Sequence, residues 1–399
     1  MTYDISFKGN KADYLLSITA LLQPVLTLLQ LFLMDAMYMD ADVANRIRVL
    51  LTAVPILCSM FYVLKRETML TVFTYSVVTL ILLFTNVLYP ERWAFMSSDV
   101  LKFTLPVVLP IGLCIASIHN FSVLAKCMQY ISIGAAVIGL LYAVYYLSGV
   151  FIIEDYSMAF SYSLLFPTFV MITEKGWLWK GTALIMMIEM LAIGSRGALM
   201  LAIAYWFFSL FWGNLSIAKM FMFFLFAMAY FFFFDSLIIL LASFFDYIGI
   251  SSRTLRLLLN DELLSYDSGR NEIYQQTWNL INKNPLFGNG VWADRQYLGT
   301  YCHNVFLELF LDFGYFGAGI ILIAFFTKQF KIFKKIPINY KTMYLMMLGI
   351  LTPLLVSSSY LTSFNLGMFL GFTYLVSKTT DCIRIMNLNR IKYENRKRT

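Results

Sequence analysis

The chain has 399 residues, of which 60% are apolar and only 13% are charged, and its net charge is +7. Soluble domains are about half apolar and about a quarter charged, so this composition excludes a soluble globular protein and a disordered chain. Because a membrane-spanning helix needs roughly 20 apolar residues, the chain is long enough for about twelve of them. We therefore predict an all-α, polytopic integral membrane helix bundle that forms a single membrane domain over residues 1–399.

The predicted spans follow one another along the chain with short connections, except for one long gap after the ninth span. In chain order they are 13–34, 49–64, 68–88, 100–118, 128–150, 157–173, 182–194, 198–212, 218–242, 304–326, 342–360 and 364–377.

Lysine and arginine concentrate in the cytoplasmic loops of membrane proteins, so their positions predict the orientation. Five lysines lie within residues 328–341, and seven basic residues lie within residues 378–398. If both segments are cytoplasmic, the number of spans places Lys8 and Lys11 in the cytoplasm as well. The sequence thus predicts a multi-pass protein with both termini cytoplasmic. Membrane topology accounts for the positive charge, and no nucleic-acid partner is predicted.

The long gap, residues 243–303, is predicted to be an extracytoplasmic loop. It contains two segments with helical patterns, 253–263 and 270–282. Ser268 is placed to cap the second of these helices. Proline and two glycines then make 284–290 (NPLFGNG) a turn. The loop carries five basic residues on the side of the membrane that usually has few, which favours an anionic ligand. The alternative is that the charge has no such meaning, because long loops are translocated across the membrane regardless of their charge.

Ionisable residues in or beside membrane spans are costly and are often functional. Arg196 lies between two glycines in the segment 194–197 (GSRG), at the predicted outer end of span 182–194. Such an arginine fits a chain break where the guanidinium approaches a ligand, and it equally fits the end of a hairpin in water. Glu189 precedes it by two helical turns and is predicted to face the interior of the bundle.

The sequence has two histidines. His119 falls at the cytoplasmic end of the fourth predicted span. His303 falls at the end of the long outer loop, directly before the tenth span, on which Glu308 and Asp312 are four residues apart and face one way. An imidazole takes up a proton near neutral pH, so the position of His303 beside a basic loop makes it a candidate proton acceptor.

Metal and cofactor sites are not predicted. Asp40 and Asp42 in the first outer loop are too few for a strong divalent-cation site, and we interpret them as solvated loop acids. The five cysteines have no paired spacing, and neither a phosphate-binding loop nor a dinucleotide or zinc-protease motif occurs.

Several short segments in the second half of the chain form an ordered pattern. They are Ser195-Arg196-Gly197, Ser268-Gly269-Arg270, a helix containing Trp278, the turn 284–290, His303-Asn304, and 313–317 (FGYFG). Over about residues 194–319, this ordered set resembles the O-antigen ligase/polymerase superfamily, which includes the Wzy-type polymerases.

The resemblance implies a metal-independent, inverting glycosyltransferase at the outer face of the bacterial inner membrane. It implies that Arg196 and Arg270 hold the diphosphate of an undecaprenyl-diphosphate-linked glycan. It also implies that His303 accepts the proton of the attacking sugar hydroxyl. By position, Glu308 is the rival base, because it lies about one turn into the tenth predicted span. The implied partners are a lipid-linked donor and acceptor, the lipid bilayer and a chain-length regulator protein. No metal or cofactor is implied.

Three functions compete. The first is a polymerase that joins lipid-linked repeat units into O-antigen or capsular polysaccharide, and the second is a ligase that transfers the lipid-linked glycan to a lipid core. The third is a polysaccharide flippase or secondary transporter. Transporters often have internal repeats and ionisable groups near the membrane midplane. This sequence has no repeat, and its ionisable residues gather at one predicted face, so transport is disfavoured.

Overall fold

The computed structural model describes residues 11–151, 157–211, 239–245, 247, 252–260, 270–336 and 338–379, and it contains helices but no strands within these ranges. In chain order the α-helices are α1 (Lys11–Leu21), α2 (Gln23–Leu31), α3 (Ala41–Leu88), α4 (Trp93–Asp99), α5 (Leu109–Ala116), α6 (Phe121–Leu147), α7 (Met158–Thr173), α8 (Trp177–Ala192), α9 (Arg196–Phe211), α10 (239–245), α11 (Arg253–Leu259), α12 (Arg270–Lys283), α13 (Ala293–Leu298), α14 (Val305–Lys335), α15 (Ile338–Gly349) and α16 (364–379). The predicted all-α fold is confirmed for the described residues.

Three of these helices, α3, α6 and α14, are long and apolar enough to cross a membrane. The bent pair Lys11–Leu21 and Gln23–Ala36, with 48° between its halves, would be a fourth span. These helices support a membrane protein, while the number of about twelve spans stays a prediction. Most of the predicted span 218–242 lies outside the described residues, and so do Ser268 and the end of the predicted helix 253–263.

Helix α3 is interrupted where the sequence predicts a connection between two spans. Its 48 residues would extend about 72 Å at 1.5 Å per residue, more than twice the thickness of a hydrocarbon core. At Glu67 the backbone leaves helical geometry, with φ −136° and ψ 46°. This kink falls between the predicted spans 49–64 and 68–88.

The predicted span 342–360 is not one helix. Helix α15 ends at Gly349, a short 3₁₀ turn follows at Thr352–Leu355, and residues 356–363 are irregular. Pro353 cannot donate a backbone hydrogen bond, so it interrupts the helical ladder. The irregular segment carries a run of hydroxyl side chains, 357–360 (SSSY), of which Ser359 and Tyr360 bind buried polar groups described below.

The chain divides into two compact units. The first contains the described residues within Leu21–Thr52 and Ala125–Gly269, and the second contains those within Thr2–Ala20, Ala53–Leu124 and Arg270–Thr399. In the first unit α7 packs against α2, α8 and α9. In the second unit α12 and α13 pack against α14 around an apolar cluster. That cluster consists of Leu280, Ile281, Ala293, Cys302, Leu307 and Leu311.

Candidate functional site

The predicted turn 284–290 is hydrogen-bonded to a break in α14. Gly314 interrupts this helix with φ 64° and ψ −177°, which leaves backbone groups on both sides of the break without helical partners. The turn supplies those partners. Its amide donors reach the carbonyls of Leu311 (2.7 Å) and Asp312 (2.9 Å), and its carbonyls accept from the amides of Tyr315 (2.7 Å) and Phe316 (3.2 Å). Irregular backbone is tolerated beside a membrane when its polar groups are satisfied in this way.

Arg295 on α13 is the centre of a buried polar network. Its Nη1 donates to Glu308 Oε1 at 2.8 Å and also pairs with Asp294, while its Nη2 donates to Ser359 Oγ at 2.8 Å. Burial alone would lower the pKa of the Arg295 guanidinium, but the carboxylates of Asp294 and Glu308 outweigh burial and raise it. The fork of Arg295 therefore joins α13, the first turn of α14 and the irregular segment 356–363.

Both oxygens of Glu308, the predicted rival base, are occupied. Oε1 accepts from Arg295 and Ser359, and Oε2 accepts from the backbone amide of Tyr360 at 3.1 Å. The side chain is 1% exposed. One turn further along α14, Asp312 accepts from the hydroxyl of Tyr360 at 2.6 Å. This geometry favours an anchoring role for Glu308.

His303 lies between α13 and α14 in a backbone conformation that few side chains adopt. Its φ is 56°, in the left-handed region. The imidazole is half-buried and packs on the ring of Tyr301, with 4.1 Å between ring centroids. Its Nδ1 is buried and has no hydrogen-bond partner among the described residues. Residues with strained backbone conformations cluster at functional sites, and a buried polar atom without a partner calls for an explanation, so both features make His303 a functional candidate.

The charges around His303 favour its neutral form. Burial, followed by the positive charges of Arg270 and Arg295, lowers the pKa of the imidazole below its usual value of 6.5. A histidine with a lowered pKa is unprotonated at neutral pH and can accept a proton. Arg270 is the first residue of α12, and its charge acts on the pKa of His303. These two site residues, both predicted from the sequence, therefore lie near each other in the second unit.

Two neighbours of His303 have structural roles. Asn304 caps α14, since its side-chain oxygen accepts from the amides of Phe306 (3.0 Å) and Leu307 (3.3 Å). Burial raises the pKa of the Cys302 thiol, so this cysteine stays protonated and is a poor nucleophile.

Arg92 is a further buried cation that the sequence analysis did not single out. Its side chain is 1% exposed and lies over the ring of Tyr89, with Cζ 4.0 Å from the ring centroid. Nη1 donates to the carbonyls of Asn289 and Val291, and Nε donates to Gln296 Oε1 at 2.6 Å. Arg92 therefore attaches the turn 284–290 and α13 to the segment that follows α3.

Arg196 lies in the first unit, at the start of α9. The chain turns tightly before it, because the amide of Ser195 donates to Ser161 Oγ at 2.6 Å and a side chain on Gly194 would collide with Ser161. Glu189 on α8 is buried, as predicted, and neither of its carboxylate oxygens has a hydrogen-bond partner among the described residues.

Two other sequence candidates have local roles. Asp40 caps α3, with Oδ1 accepting from the amides of Asp42 (3.0 Å) and Val43 (3.2 Å). His119 donates its backbone amide to Asp13 Oδ1 at 3.3 Å. No group of three or more metal-ligating side chains occurs in the part of the chain that the structure describes.

His303 can therefore accept a proton beside the positive charges of Arg270 and Arg295. This arrangement suits a reaction in which a hydroxyl attacks and an anion leaves. Residues 181–322 match the family model described as O-antigen ligase. This match agrees with the resemblance of residues 194–319 to the O-antigen ligase/polymerase superfamily. Neither a comparison with curated proteins nor one with solved structures finds a match.

The O-antigen ligase match includes every motif segment that carried the resemblance. Together with the helices that can span a membrane, it indicates an inner-membrane enzyme of the ligase/polymerase type that acts on lipid-linked glycans in glycan assembly. Three residues that complete the polar environment of this segment in the second unit lie outside the matched range. They are Arg92, Ser359 and Tyr360.

Proposed function

We propose that this protein is a metal-independent, inverting glycosyltransferase that polymerises undecaprenyl-diphosphate-linked oligosaccharide repeat units into O-antigen or capsular polysaccharide. The observation that carries the proposal is His303, a neutral imidazole with an unsatisfied Nδ1, held beside the positive charges of Arg270 and Arg295. The family match supports the reaction class.

In the proposed step a hydroxyl oxygen of the acceptor sugar attacks the anomeric carbon of the donor sugar. The bond between that carbon and the diphosphate oxygen breaks, and the diphosphate leaves with the electron pair. His303 takes the proton of the attacking hydroxyl, so the charge created on the diphosphate is balanced by an imidazolium. A single displacement inverts the anomeric carbon.

The leaving diphosphate needs fixed positive charge. Arg270 is the proposed ligand in the second unit, because it begins α12 and its charge reaches His303. A guanidinium matches two phosphate oxygens at once and never loses its charge. Arg295 is a weaker candidate, since Asp294 and Glu308 already take up its donors. The proposed role of Arg196 as a second diphosphate ligand rests on its match to the family motif alone.

We propose that Glu308 supports His303 indirectly. Glu308 holds Arg295, and Arg295 lies 5.7 Å from the centroid of the Tyr301 ring, on which the imidazole packs. The alternative, in which Glu308 itself accepts the proton, requires it to leave an ion pair and two further hydrogen bonds. The catalytic assignment of Glu308 is therefore the second choice.

The proposed topology has both termini in the cytoplasm and residues 243–303 on the outer side of the inner membrane. The proposed partners are the lipid-linked donor and acceptor and a chain-length regulator protein. The basic segment 328–341 and the kinked or broken helices α3 and α14 are compatible with this arrangement.

The alternative function is ligation of the same donor to a lipid core, and one experiment distinguishes the two. Purified enzyme receives a lipid-diphosphate-linked repeat unit, either alone or with a lipid-core acceptor, and the products are separated by size. A polymerase forms a ladder of longer lipid-linked glycans from the donor alone. A ligase forms product only when the lipid core is present. A flippase or transporter forms no covalent product in either reaction.

A further inference from the structure

A groove of about 600 Å³ lies along the C-terminal half of α14, far along the helix from His303. We call it the lysine groove. It is lined at one end by Ile320, Ile323 and Ala324, and at the other end by Lys328, Lys331 and Lys335. Ser377 on α16 contributes to its wall.

The groove changes from apolar to cationic along the helix axis. Residues 320, 324, 328, 331 and 335 are spaced by three or four positions, so they form one stripe on the helix surface. Ile320 and Lys328 are eight residues apart, which corresponds to about 12 Å along the axis. An occupant that matches both ends has an apolar part and an anionic part.

One other face of this part of α14 is covered by the protein itself. Phe325 packs on Phe369 of α16 (ring centroids 6.0 Å apart), and Phe333 packs on Tyr344 of α15 (5.9 Å). Gln329 Oε1 accepts from the hydroxyl of Tyr344 at 2.8 Å. These contacts hold α14 in place, so the lysine groove is an outward-facing feature of a fixed helix.

Among the described residues, no carboxylate neutralises the cationic end. None of the residues that line the groove is acidic, and no ion pair within the described residues includes Lys328, Lys331 or Lys335. The apolar end is on a helix long enough to cross a membrane, and Ile320 and Ile323 are exposed there. Basic pockets between transmembrane helices are sites for anionic lipid headgroups.

We propose that the lysine groove binds one anionic glycerophospholipid, with an acyl chain along Ile320, Ile323 and Ala324 and the headgroup phosphate among Lys328, Lys331 and Lys335. The charge of the three lysines selects an anionic headgroup over a zwitterionic one. The apolar end selects a lipid over a soluble phosphate. This site does not depend on the proposed glycosyltransferase activity.

Native mass spectrometry of the delipidated full-length protein tests the proposal. The probes are a phosphatidylglycerol, a phosphatidylcholine with the same acyl chains, and inorganic phosphate. The variant Lys328→Gln/Lys331→Gln/Lys335→Gln removes the cationic end, and Ala324→Phe fills the apolar end. Lys334→Gln is the matched control, because Lys334 lies on the same helix with its ammonium over the ring of Phe330, 4.3 Å from the centroid. All four lysines are exposed, so these changes leave the fold intact.

The wild-type protein and Lys334→Gln should retain phosphatidylglycerol in preference to phosphatidylcholine. The triple variant should bind phosphatidylglycerol about a hundredfold more weakly, or about fivefold for each lysine, and Ala324→Phe should also bind it more weakly. Undiminished binding by the triple variant, or equal binding of phosphatidylcholine by the wild type, would overturn the proposal. Displacement of the lipid by equimolar inorganic phosphate, or full binding by Ala324→Phe, would reduce the site to a simple anion patch and would also overturn it.

Discussion

Gly288 and Gly314 approach each other so closely that neither position has room for a side chain. A Cβ on Gly314 would lie 2.5 Å from the backbone nitrogen of Gly288, and a Cβ on Gly288 would lie 2.6 Å from the carbonyl oxygen of Asp312. Both glycines have positive φ angles, 75° and 64°. The two glycine-containing motif segments, 284–290 and 313–317, are therefore the two halves of one backbone junction, and this junction fixes the start of α14 relative to the loop that carries Arg295 and His303.

The first prediction concerns this junction. Gly288→Ala and Gly314→Ala should each destabilise the protein by about 2 kcal/mol or more, because each adds a clash to a backbone conformation that costs other residues about 1–3 kcal/mol. Gly319→Ala is the control, since a Cβ there meets nothing within 4 Å. Thermal unfolding of the purified variants is the measurement. Equal stability of Gly314→Ala and Gly319→Ala would show that the junction is not tight.

The second prediction concerns Arg295. Arg295→Met leaves the buried carboxylates of Asp294 and Glu308 without their cation, and removing one partner of a buried ion pair costs about 3–5 kcal/mol. Combining it with Glu308→Leu should recover part of that loss. Lys283→Met, at an exposed position on α12, should have little effect. Chemical denaturation of the wild type, Arg295→Met, Glu308→Leu, the double variant and Lys283→Met gives the free energies, and strictly additive losses would contradict the network.

The third prediction concerns the proposed diphosphate ligands. Arg270→Lys and Arg196→Lys keep the charge and lose the planar fork, so each should lower the rate of polymer formation about a hundredfold at normal protein levels. Arg256→Lys changes an exposed arginine in the same way and should remain active. If either lysine variant produces wild-type amounts of polymer, that arginine does not hold the diphosphate.

The fourth prediction concerns pH. Because the pKa of His303 is lowered by burial and by Arg270 and Arg295, the imidazole stays neutral to below pH 6.5. A base must be unprotonated to act, so kcat/KM, which reports the groups of the free enzyme, should fall on the acidic side with a midpoint below 6.5. His119→Ala should keep the same profile. A midpoint at or above 6.5 would show that the base is not in the environment described for His303.

Much of the site segment could be predicted from local sequence. The helix 270–282 and the turn 284–290 are observed almost at their predicted bounds, because a helical pattern and turn residues act over short distances. The position of His303 directly before α14 also follows from local sequence, since Asn304 caps the helix. The break at Gly314 could not be predicted in this way, because glycine is common inside transmembrane helices and only the partner turn shows what it is for.

Partners from distant parts of the chain could not be predicted. Arg92 and Gln296 are 204 positions apart, and Arg295 and Ser359 are 64 positions apart. One signal was present, because four consecutive hydroxyl residues, 357–360, form the end of the predicted span 342–360. Buried polar groups need partners, so such a run in an apolar segment indicates a polar network even before its members are known.

The central claim is that His303 is the general base, and polymer formation in vitro by His303→Ala tests it most directly. A positioned base contributes about 10²–10⁴-fold to the rate, so turnover should fall by that factor while donor binding persists. His119→Ala is the control for the loss of a histidine, and Glu308→Gln tests the rival carboxylate. The account predicts an active His119→Ala enzyme and a His303→Ala enzyme that binds the donor with almost no turnover. A fully active His303→Ala enzyme together with an inactive but folded Glu308→Gln enzyme would contradict it.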